Sequence, residues 1–390
     1  MPPTGHVAPG FEPVARTFQR LVGRRQGGGA LTVRLRGETV VDLCTGYADR
    51  GATRPWTYDT LSISFSTTKG VASAVLHRLA DRGELDYDEP VASYWPEFAA
   101  GGKGRVTVRD LMTHRAGLSS VRAVADRAED LLDHVGMEDK LAARTVHAPT
   151  QRSAYHAITY GWLVAGLARR ITGKGLAALA RIEVTEPLGI DGLHIGVPDE
   201  AREYVAEPVG AALRQVGTTA DFTQNLWMRS HRSRTTIDAL HVPGFARLFE
   251  GSDPPIWHTE MPAVNGVISA RALADMYAPL ANGGDGFLSP GTVDTLGRVQ
   301  IRTADAVLGI QMRWRLGYHQ AFGSRARMAF GHYGYGGSGG WADPETGLSV
   351  GFVTNRIGSL TTPLGDLNLF RLNRVVRQCV ESRSTTFAST

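Results

Sequence analysis

One short segment of the sequence combines a nucleophile with a base. Ser66 and Lys69 lie three positions apart in Ser66-Thr67-Thr68-Lys69. In a helix, side chains three positions apart share a face, so the Lys69 amine can reach the Ser66 hydroxyl. A serine hydroxyl becomes nucleophilic when an adjacent base takes its proton, and a lysine shielded from water can be that base. The pair therefore favours nucleophilic catalysis.

Lysine is rare in this chain, which makes a lysine within a motif informative. Only four of the 42 basic residues are lysines, so 42 − 4 = 38 are arginines. No serine lies three positions before any of the other three lysines. A chance match is still expected in roughly a quarter of such chains. Coincidence is the alternative when the motif is taken alone.

A tyrosine forms the second candidate, in Tyr155-His156-Ala157 just before a helical pattern. A phenol near a lysine can carry a proton to a leaving group. Taken alone, Tyr155 is one of eleven tyrosines, and a half-buried structural aromatic is the simpler interpretation.

The third candidate is the glycine-rich segment from Gly331 to Ser338. Glycines let a backbone approach a ligand closely, and their neighbouring N–H groups can bind an oxyanion. A hairpin turn without a ligand is the alternative. The spacing Gly334-x-Gly336-x-x-Gly339 is not a dinucleotide fingerprint, because no helix follows it. Ser338 also matches a nucleophile elbow, but the last histidine, His332, precedes it, so the Ser–acid–His order fails.

The helices and strands that must position these residues can be predicted from hydrophobic periodicity and from residues that end helices or strands. Strands are expected at both ends of the chain and helices in the middle. The predicted elements are a hairpin over 30–49, helices over 66–82, 157–172, 270–281 and 363–383, and strands over 327–332 and 348–354. The pattern predicts an α/β (α+β) fold with a sheet built from both chain ends. The predicted domains are 1–65 with 295–390, and a mainly helical 66–294.

The stretch 195–262 shows little periodicity and carries Trp227, Met228, Trp257 and His258. We interpret it as a lid or pocket wall. The 390 residues exceed twice the ~150-residue prior for one domain, which agrees with two domains or one composite domain.

Composition excludes several classes of protein. With 42 − 38 = +4 formal charges, nucleic-acid binding is not expected, and 42% hydrophobic residues fit an ordinary globular chain. The two cysteines, Cys44 and Cys379, are expected to be unpaired core thiols. No signal peptide or run of ~18 apolar residues is visible, so a cytoplasmic protein without a transmembrane segment is predicted. The histidines show no zinc spacing, so no metal is expected, and acyl transfer through a serine needs no organic cofactor.

Taken in order, these segments resemble the serine β-lactamase and penicillin-binding-protein superfamily. The likeness is greatest to its class C-like esterase branch, the family VIII carboxylesterases, and it covers most of the chain. The segments that carry it are Gly10-Phe11-Glu12, Val41-Asp42-Leu43, Phe65–Gly70, Gly83–Asp86, Tyr94–Phe98, Thr113–Leu118, Tyr155-His156-Ala157, Asn265-Gly266, His332–Ser338 and Asp343-Pro344-Glu345.

The resemblance implies a role for each site residue. Ser66 would be acylated, Lys69 would accept its proton, and Tyr155 would complete the acid–base pair. The segment starting His332-Tyr333-Gly334 would stand where lactamases have Lys-Thr-Gly. The backbone N–H groups of Ser66 and Tyr335 would form the oxyanion hole. The family also implies an antiparallel sheet with flanking helices, an α-domain, and a site between them.

Departures from the lactamase pattern favour neutral esters over lactams. His332 replaces a lysine, and a histidine with its usual pKa of ~6.5 is mostly neutral at pH 7. Ala157 stands where lactamases have an amide side chain. We therefore predict a serine esterase for small esters with short-to-medium acyl chains. A β-lactamase or D-Ala-D-Ala carboxypeptidase is the first alternative, and a non-catalytic ligand-binding module is the second. The oligomeric state is not predicted.

Overall fold

A computed structural model describes residues 1–23, 26–146, 152–210, 234–321, 326–357 and 368–388. The strands in these ranges are β1 (Thr4–Val7), β2 (Gly28–Leu35), β3 (Glu38–Gly46), β4 (Ser62–Ile63), β5 (Leu193–Ile195), β6 (Gly266–Ile268), β7 (Ile301–Ala304), β8 (Gln311–Trp314), β9 (His319–Gln320), β10 (Phe330–Tyr333), β11 (Gly339–Asp343) and β12 (Leu348–Thr354).

Helices of the described residues are α1 (Glu12–Leu21), α2 (Thr68–Asp81), α3 (Val91–Tyr94), α4 (Val108–Met112), α5 (His134–Ala143), α6 (Thr159–Thr172), α7 (Leu176–Ala180), α8 (Glu186–Leu188), α9 (Arg234–Leu240), α10 (Ala270–Ala281), α11 (Pro290–Gly297) and α12 (Asn368–Ala388). Short 3-10 segments are Phe65–Thr67, Pro96–Gly102, Val121–Ala123, Ala128–Leu132, Asp199–Tyr204, Phe245–Phe249 and Pro255–His258, and Arg181–Thr185 is a π-helical turn.

A nine-stranded antiparallel sheet joins the two ends of the chain. Its order is β1-β3-β2-β12-β11-β10-β9-β8-β7. The N-terminal hairpin turns at Arg36 and Gly37, whose φ angles of 53° and 84° suit a tight hairpin turn. Strand β12 pairs along its whole length with β2, from Leu348↔Leu35 to Thr354↔Gly29. The predicted fold class, a sheet built from both chain ends with flanking helices, is confirmed.

Both faces of the sheet are covered. On one face, Leu31 and Val33 share a core with Phe18 of α1 and Leu372 of α12. Ala30, the strand residue just before Leu31, belongs to the larger core on the other face. Alternate side chains of a strand point to opposite faces, so β2 is apolar almost throughout.

Helix α10 packs against the sheet, although the predicted domain boundaries assign residues 270–281 to the mainly helical domain 66–294. Two strand glycines allow this close approach. A Cβ at Gly351 would lie 2.2 Å from the Ala270 carbonyl oxygen, and one at Gly340 would lie 2.6 Å from Leu273. The helix therefore joins the sheet to the helical middle of the chain.

A second sheet, β4-β6-β5, is absent from the sequence prediction. Its strands have only two or three residues, too short to show a period of two. Their pairs include Ser62↔Ile268 and Leu193↔Ile268. This small sheet matters because β4 leads directly into the segment containing Ser66.

Predicted elements otherwise agree with the structure to within a few residues. Helices α2, α6 and α10 match, and Gly173 ends α6 with a φ of 73°. Strand β10 starts at Phe330 instead of residue 327, because β9 offers it only Gln320 and His319 as partners. Residues 363–367 of the predicted last helix lie outside the described residues.

Two remaining sequence expectations concern thiols and membranes. Cys44 and Cys379 are both free and buried, as predicted. No helix in the described part of the chain combines the length and apolar character needed to cross a membrane.

Candidate active site

Ser66 lies where a strand changes into a helix. Strand β4 ends at Ile63, a 3-10 turn covers Phe65–Thr67, and α2 starts at Thr68. Phe65 has a φ of +46°, a left-handed conformation that is rare for a bulky residue. The Thr68 hydroxyl stabilises this turn: it donates to the Phe65 carbonyl at 2.6 Å and accepts from the Gly266 N–H at 2.9 Å. The half-buried Ser66 is thus held at the N-terminus of α2.

The Lys69 amine makes three contacts with oxygen. Its Nζ lies 2.8 Å from Ser66 Oγ, 2.7 Å from the Ala157 carbonyl oxygen and 3.3 Å from that of Ala263. The side chain is fully buried, and burial holds its pKa well below the usual value for lysine. A neutral amine has two hydrogens, which suit the two carbonyls, and one lone pair, which then faces the Ser66 hydroxyl. Lys69 is therefore arranged to accept a proton from Ser66.

Carbonyls that bond Lys69 come from two distant loops. Ala157 precedes α6, and Ala263 lies in a turn before β6. The Asn265 side chain shapes that turn: its amide donates to the Thr259 and Ile256 carbonyls at 2.6 and 2.9 Å and accepts from the Met261 N–H at 3.0 Å. Asn265-Gly266 thereby has a structural task beside the nucleophile.

Tyr155 lies on the other side of the same serine. Its hydroxyl interacts with the Ser66 side chain, and its ring centroid is 4.9 Å from Lys69 Nζ. Burial raises the pKa of Tyr155, the negative charge of Asp305 raises it further, and the contact with Ser66 opposes both. The phenol therefore keeps its proton and is available as an acid.

Rings surround the Tyr155 phenol on several sides. Trp314 stacks on it with centroids 5.5 Å apart and an interplanar angle of 12°. His332 lies 6.3 Å away at 25°, and His114 meets it edge-on at 5.0 Å. His114 also accepts the His156 N–H at Nδ1 (3.3 Å). These contacts leave little freedom for the phenol.

The glycine-rich loop approaches the nucleophile backbone to backbone. A Cβ at Gly334 would lie 2.1 Å from the Ser64 carbonyl oxygen, so no side chain fits there. The Thr67 hydroxyl donates to the Ser338 carbonyl at 3.0 Å, and the Gly334 N–H donates to the same carbonyl at 2.8 Å. In the described chain, neither the Ser66 N–H nor the Tyr335 N–H donates to another group.

His332 is neutral and has a defined tautomer. Its Nδ1 lies 3.0 Å from the Tyr333 carbonyl oxygen, which can only accept, so Nδ1 carries the hydrogen. Burial, followed by the nearby His319 and Lys69, holds the pKa of His332 well below 6.5. Nε2 is then a lone-pair acceptor, and no described group hydrogen-bonds to it.

Ser338, which matches the nucleophile-elbow pattern rejected above, has a structural role. It is 2% exposed, and its Oγ accepts the Thr354 N–H at 3.1 Å. The hydroxyl therefore fixes the register between the loop and β12.

Part of the proposed lid stretch borders the nucleophile. The ring of Phe249 packs 5.7 Å from that of Phe65, and Phe245 packs on Phe249. Trp257 and His258 instead line a cavity of about 740 Å³ whose walls include neither Ser66 nor Lys69. Trp227 and Met228 lie outside the described residues.

The structure brings Ser66, Lys69, Tyr155 and the loop from His332 to Tyr335 into one site. Sequence reasoning missed several supporting groups: the Ala157 and Ala263 carbonyls, His114, Asp305 and Trp314. His114 lies in the quoted segment Thr113–Leu118, which gave it no role in the site, and nothing marked Asp305 or Trp314. Among the described residues, no cluster of three or more His, Cys, Asp or Glu side chains is arranged to hold a metal ion.

Comparisons with known proteins agree with this geometry. The model of the Beta-lactamase family matches residues 14–367. The esterase/beta-lactamase LipL of Mycobacterium tuberculosis is 44% identical over 380 residues, which cover 95% of this chain and 87% of the relative.

Solved structures give the same grouping. A family VIII carboxylesterase superposes with a TM-score of 0.84 at 33% identity, and a penicillin-binding protein homologue from Caulobacter crescentus with 0.85 at 32%. Each alignment covers 97% of this chain and 100% of the other. The chain therefore belongs to the β-lactamase family, as a serine hydrolase.

Proposed function

We propose that the protein hydrolyses carboxylic esters through an acyl-enzyme on Ser66. The observation that carries this proposal is the set of contacts around Lys69 Nζ. Two carbonyl oxygens accept the two hydrogens of a neutral amine. The remaining lone pair of Lys69 Nζ then faces Ser66 Oγ, which lies 2.8 Å from the nitrogen. A base held in this way can take the serine proton as the oxygen attacks a carbonyl.

Proton transfer in the proposed reaction uses both neighbours of the serine. As Ser66 Oγ bonds to the ester carbon, its proton passes to Lys69. The N–H groups of Ser66 and Tyr335 stabilise the oxyanion. Tyr155 gives its proton to the departing alkoxide and regains one from the Lys69 ammonium. Water then cleaves the acyl-enzyme by the reverse proton path, which restores the Ser66 hydroxyl.

Neutral esters suit this site better than anionic lactams do. Lys69 and His332 both have lowered pKa values, and Tyr155 has a raised one. Burial therefore favours the uncharged form of all three side chains. His332 Nε2 offers a hydrogen-bond acceptor, but no fixed cation for a carboxylate.

Acyl chains of short to medium length are part of the proposal. The rings of Phe249 and Tyr335 pack at 5.7 and 5.9 Å from that of Phe65, the residue before the nucleophile. We infer that these rings form an apolar wall for the acyl group, and that a small-molecule ester is the substrate.

Fluorophosphonate labelling, read by intact mass and peptide mapping, tests the nucleophile. One adduct on Ser66 is expected, and the Ser338→Ala variant should label equally well. An adduct on Ser338, or none at all, contradicts the mechanism. Esters of increasing acyl length then test the pocket.

A β-lactamase activity is the second candidate, because the relative LipL is named both esterase and beta-lactamase. Nitrocefin turnover at a rate comparable with that of esters would favour it. Stable acylation by penicillin without turnover would favour a penicillin-binding role instead.

A further inference from the structure

Tyr155 is not part of a helix or strand, so its position depends on contacts from other segments. Its backbone N–H donates to Asp305 Oδ1 at 3.0 Å. The same oxygen accepts the N–H groups of Val307 and Leu308 at 2.9 and 3.0 Å. Asp305 is 1% exposed, so these hydrogen bonds satisfy a carboxylate that water cannot reach.

The second carboxylate oxygen reaches the ring that stacks on the phenol. Trp314 Nε1 donates to Asp305 Oδ2 at 3.3 Å and to Ser153 Oγ at 2.9 Å. The indole in turn lies 5.5 Å from Tyr155, nearly parallel to it. One carboxylate thus bonds the backbone of Tyr155 and also fixes the ring that packs on its side chain.

Asp305 directly follows strand β7 of the large sheet, whereas Tyr155 precedes helix α6. Asp305 starts the connection between β7 and β8, which closes through a 2.9 Å hydrogen bond from its own N–H to the Ile310 carbonyl. The next residue, Ala306, donates to the Ser153 carbonyl at 2.9 Å. The β7–β8 connection therefore fastens the tyrosine segment to the edge of the sheet.

We propose that Asp305 is a positioning residue that holds the Tyr155 phenol in line with the leaving group. This inference rests on the proposed function, in which Tyr155 is the acid. Removing the paired contacts should weaken proton donation, because the phenol is no longer held in line, without removing the nucleophile or its base.

Leaving-group dependence provides the test. Ethyl butyrate needs an acid for its alkoxide, whereas 4-nitrophenyl butyrate releases a stable phenolate and needs little help. We expect Asp305→Asn to lower kcat/KM about 100-fold for the ethyl ester and less than about 10-fold for the nitrophenyl ester. Tyr155→Phe should show the same pattern with a larger amplitude. Fluorophosphonate should still label Ser66 in both variants.

Asp343→Asn is the matched control. Asp343 is also fully buried, ends strand β11, and accepts the Glu345 N–H and the Thr346 hydroxyl. Its carboxylate pairs in addition with Arg377 at 2.7 Å. Its variant should lower the melting temperature as Asp305→Asn does, with an unchanged ratio between the two esters. Asp305→Glu, which keeps the charge but moves it, should shift the ratio in the same direction if Asp305→Asn fails to fold.

Several results would overturn the proposal. An equal fall for both esters in Asp305→Asn, or the same ratio change in Asp343→Asn, would mean that Asp305 only stabilises the fold. If Tyr155→Phe shows leaving-group dependence and neither Asp305 variant does, the positioning role fails while the proposed function stands. If the unaltered protein is not labelled at Ser66, the proposed function itself fails.

Discussion

Two sides of the site differ in how well their polar atoms are paired. On the nucleophile side, Lys69 Nζ contacts three oxygens, and the Tyr155 hydroxyl interacts with Ser66. On the glycine-loop side, His332 Nε2 and the Tyr335 hydroxyl are buried without a hydrogen-bond partner among the described residues. A buried polar group without a partner costs about 1–3 kcal/mol. The nucleophile side is therefore paired in the structure, and we expect a ligand to supply the partners that the loop side lacks.

Backbone geometry shows the same contrast. On the nucleophile side, the side chains of the site come from the start of α2 and from the Tyr155 segment. Side-chain hydrogen bonds fix the backbone of both segments. The loop side uses its main chain: Gly334 fits against Ser64 only because it has no Cβ. Substitutions on the first side should act on the chemical step, and those on the second on oxyanion and substrate binding.

Ser66→Ala should have the largest effect. Without the hydroxyl no acyl-enzyme forms, so we expect ester turnover to fall by more than about 10⁴-fold. The measurement is kcat/KM with 4-nitrophenyl butyrate, together with loss of the fluorophosphonate adduct. A variant that keeps most of its esterase rate would show that the paired side of the site is not catalytic.

Lys69→Met should lower kcat/KM by about 10³-fold, within the range for loss of a positioned base. Lys103→Met is a matched control, because Lys103 is also fully buried and its amine donates to carbonyl oxygens, including that of Ala100 at 2.6 Å. The control should lose stability but keep its kcat/KM. Equal losses of activity would assign Lys69 to folding.

The pH dependence of the unaltered protein follows from the same lysine. Burial favours the neutral amine and lowers its pKa. As the pH falls through that lowered pKa, the amine gains a proton and can no longer act as a base, so kcat/KM should fall on the acid side. Above it, the rate should be level, because the Tyr155 pKa is raised. A rate that increases up to pH 10 would mean that Lys69 has an ordinary pKa.

Gly334→Ala tests the loop side and should lower kcat by about 10²-fold, the cost of displacing a reacting group by about 1 Å. The added Cβ would lie 2.1 Å from the Ser64 oxygen, so the loop must move away from the nucleophile. Gly291→Ala is the control, since a Cβ there meets nothing within 4 Å. Unchanged kcat in Gly334→Ala would mean that the loop does not form the oxyanion hole.

Local patterns explain what the sequence could predict. The Ser66–Lys69 pair lies within one helical turn, so spacing alone predicts their contact, and the lysine contact is observed at 2.8 Å. Strand β12 and helix α10 were predicted from uninterrupted periodic segments. Such features depend on residues close in sequence, which is why they can be seen without a structure.

Contacts between distant segments could not be predicted in this way. Asp305 bonds the backbone of Tyr155 from 150 positions away, and no spacing rule connects them. The Ala263 carbonyl is a main-chain group, so its residue type gives no signal. The small sheet of β4, β5 and β6 has strands too short for periodicity. Each of these features depends on tertiary packing, which a single sequence does not display.

His332→Lys should have the smallest effect and tests whether the loop side selects against anions. An ammonium would replace a neutral acceptor, so we expect the apparent affinity for benzylpenicillin to rise about tenfold, as for one charge-assisted hydrogen bond. Competition against fluorophosphonate labelling measures this affinity. His194→Lys is the control for added charge, because His194 is a half-buried histidine in the cavity beside Trp257. This variant should leave the affinity for benzylpenicillin unchanged. The KM for a neutral ester should not fall in either variant. No gain for penicillin would mean that the Phe249 and Tyr335 wall, instead of the charge at position 332, excludes the lactam.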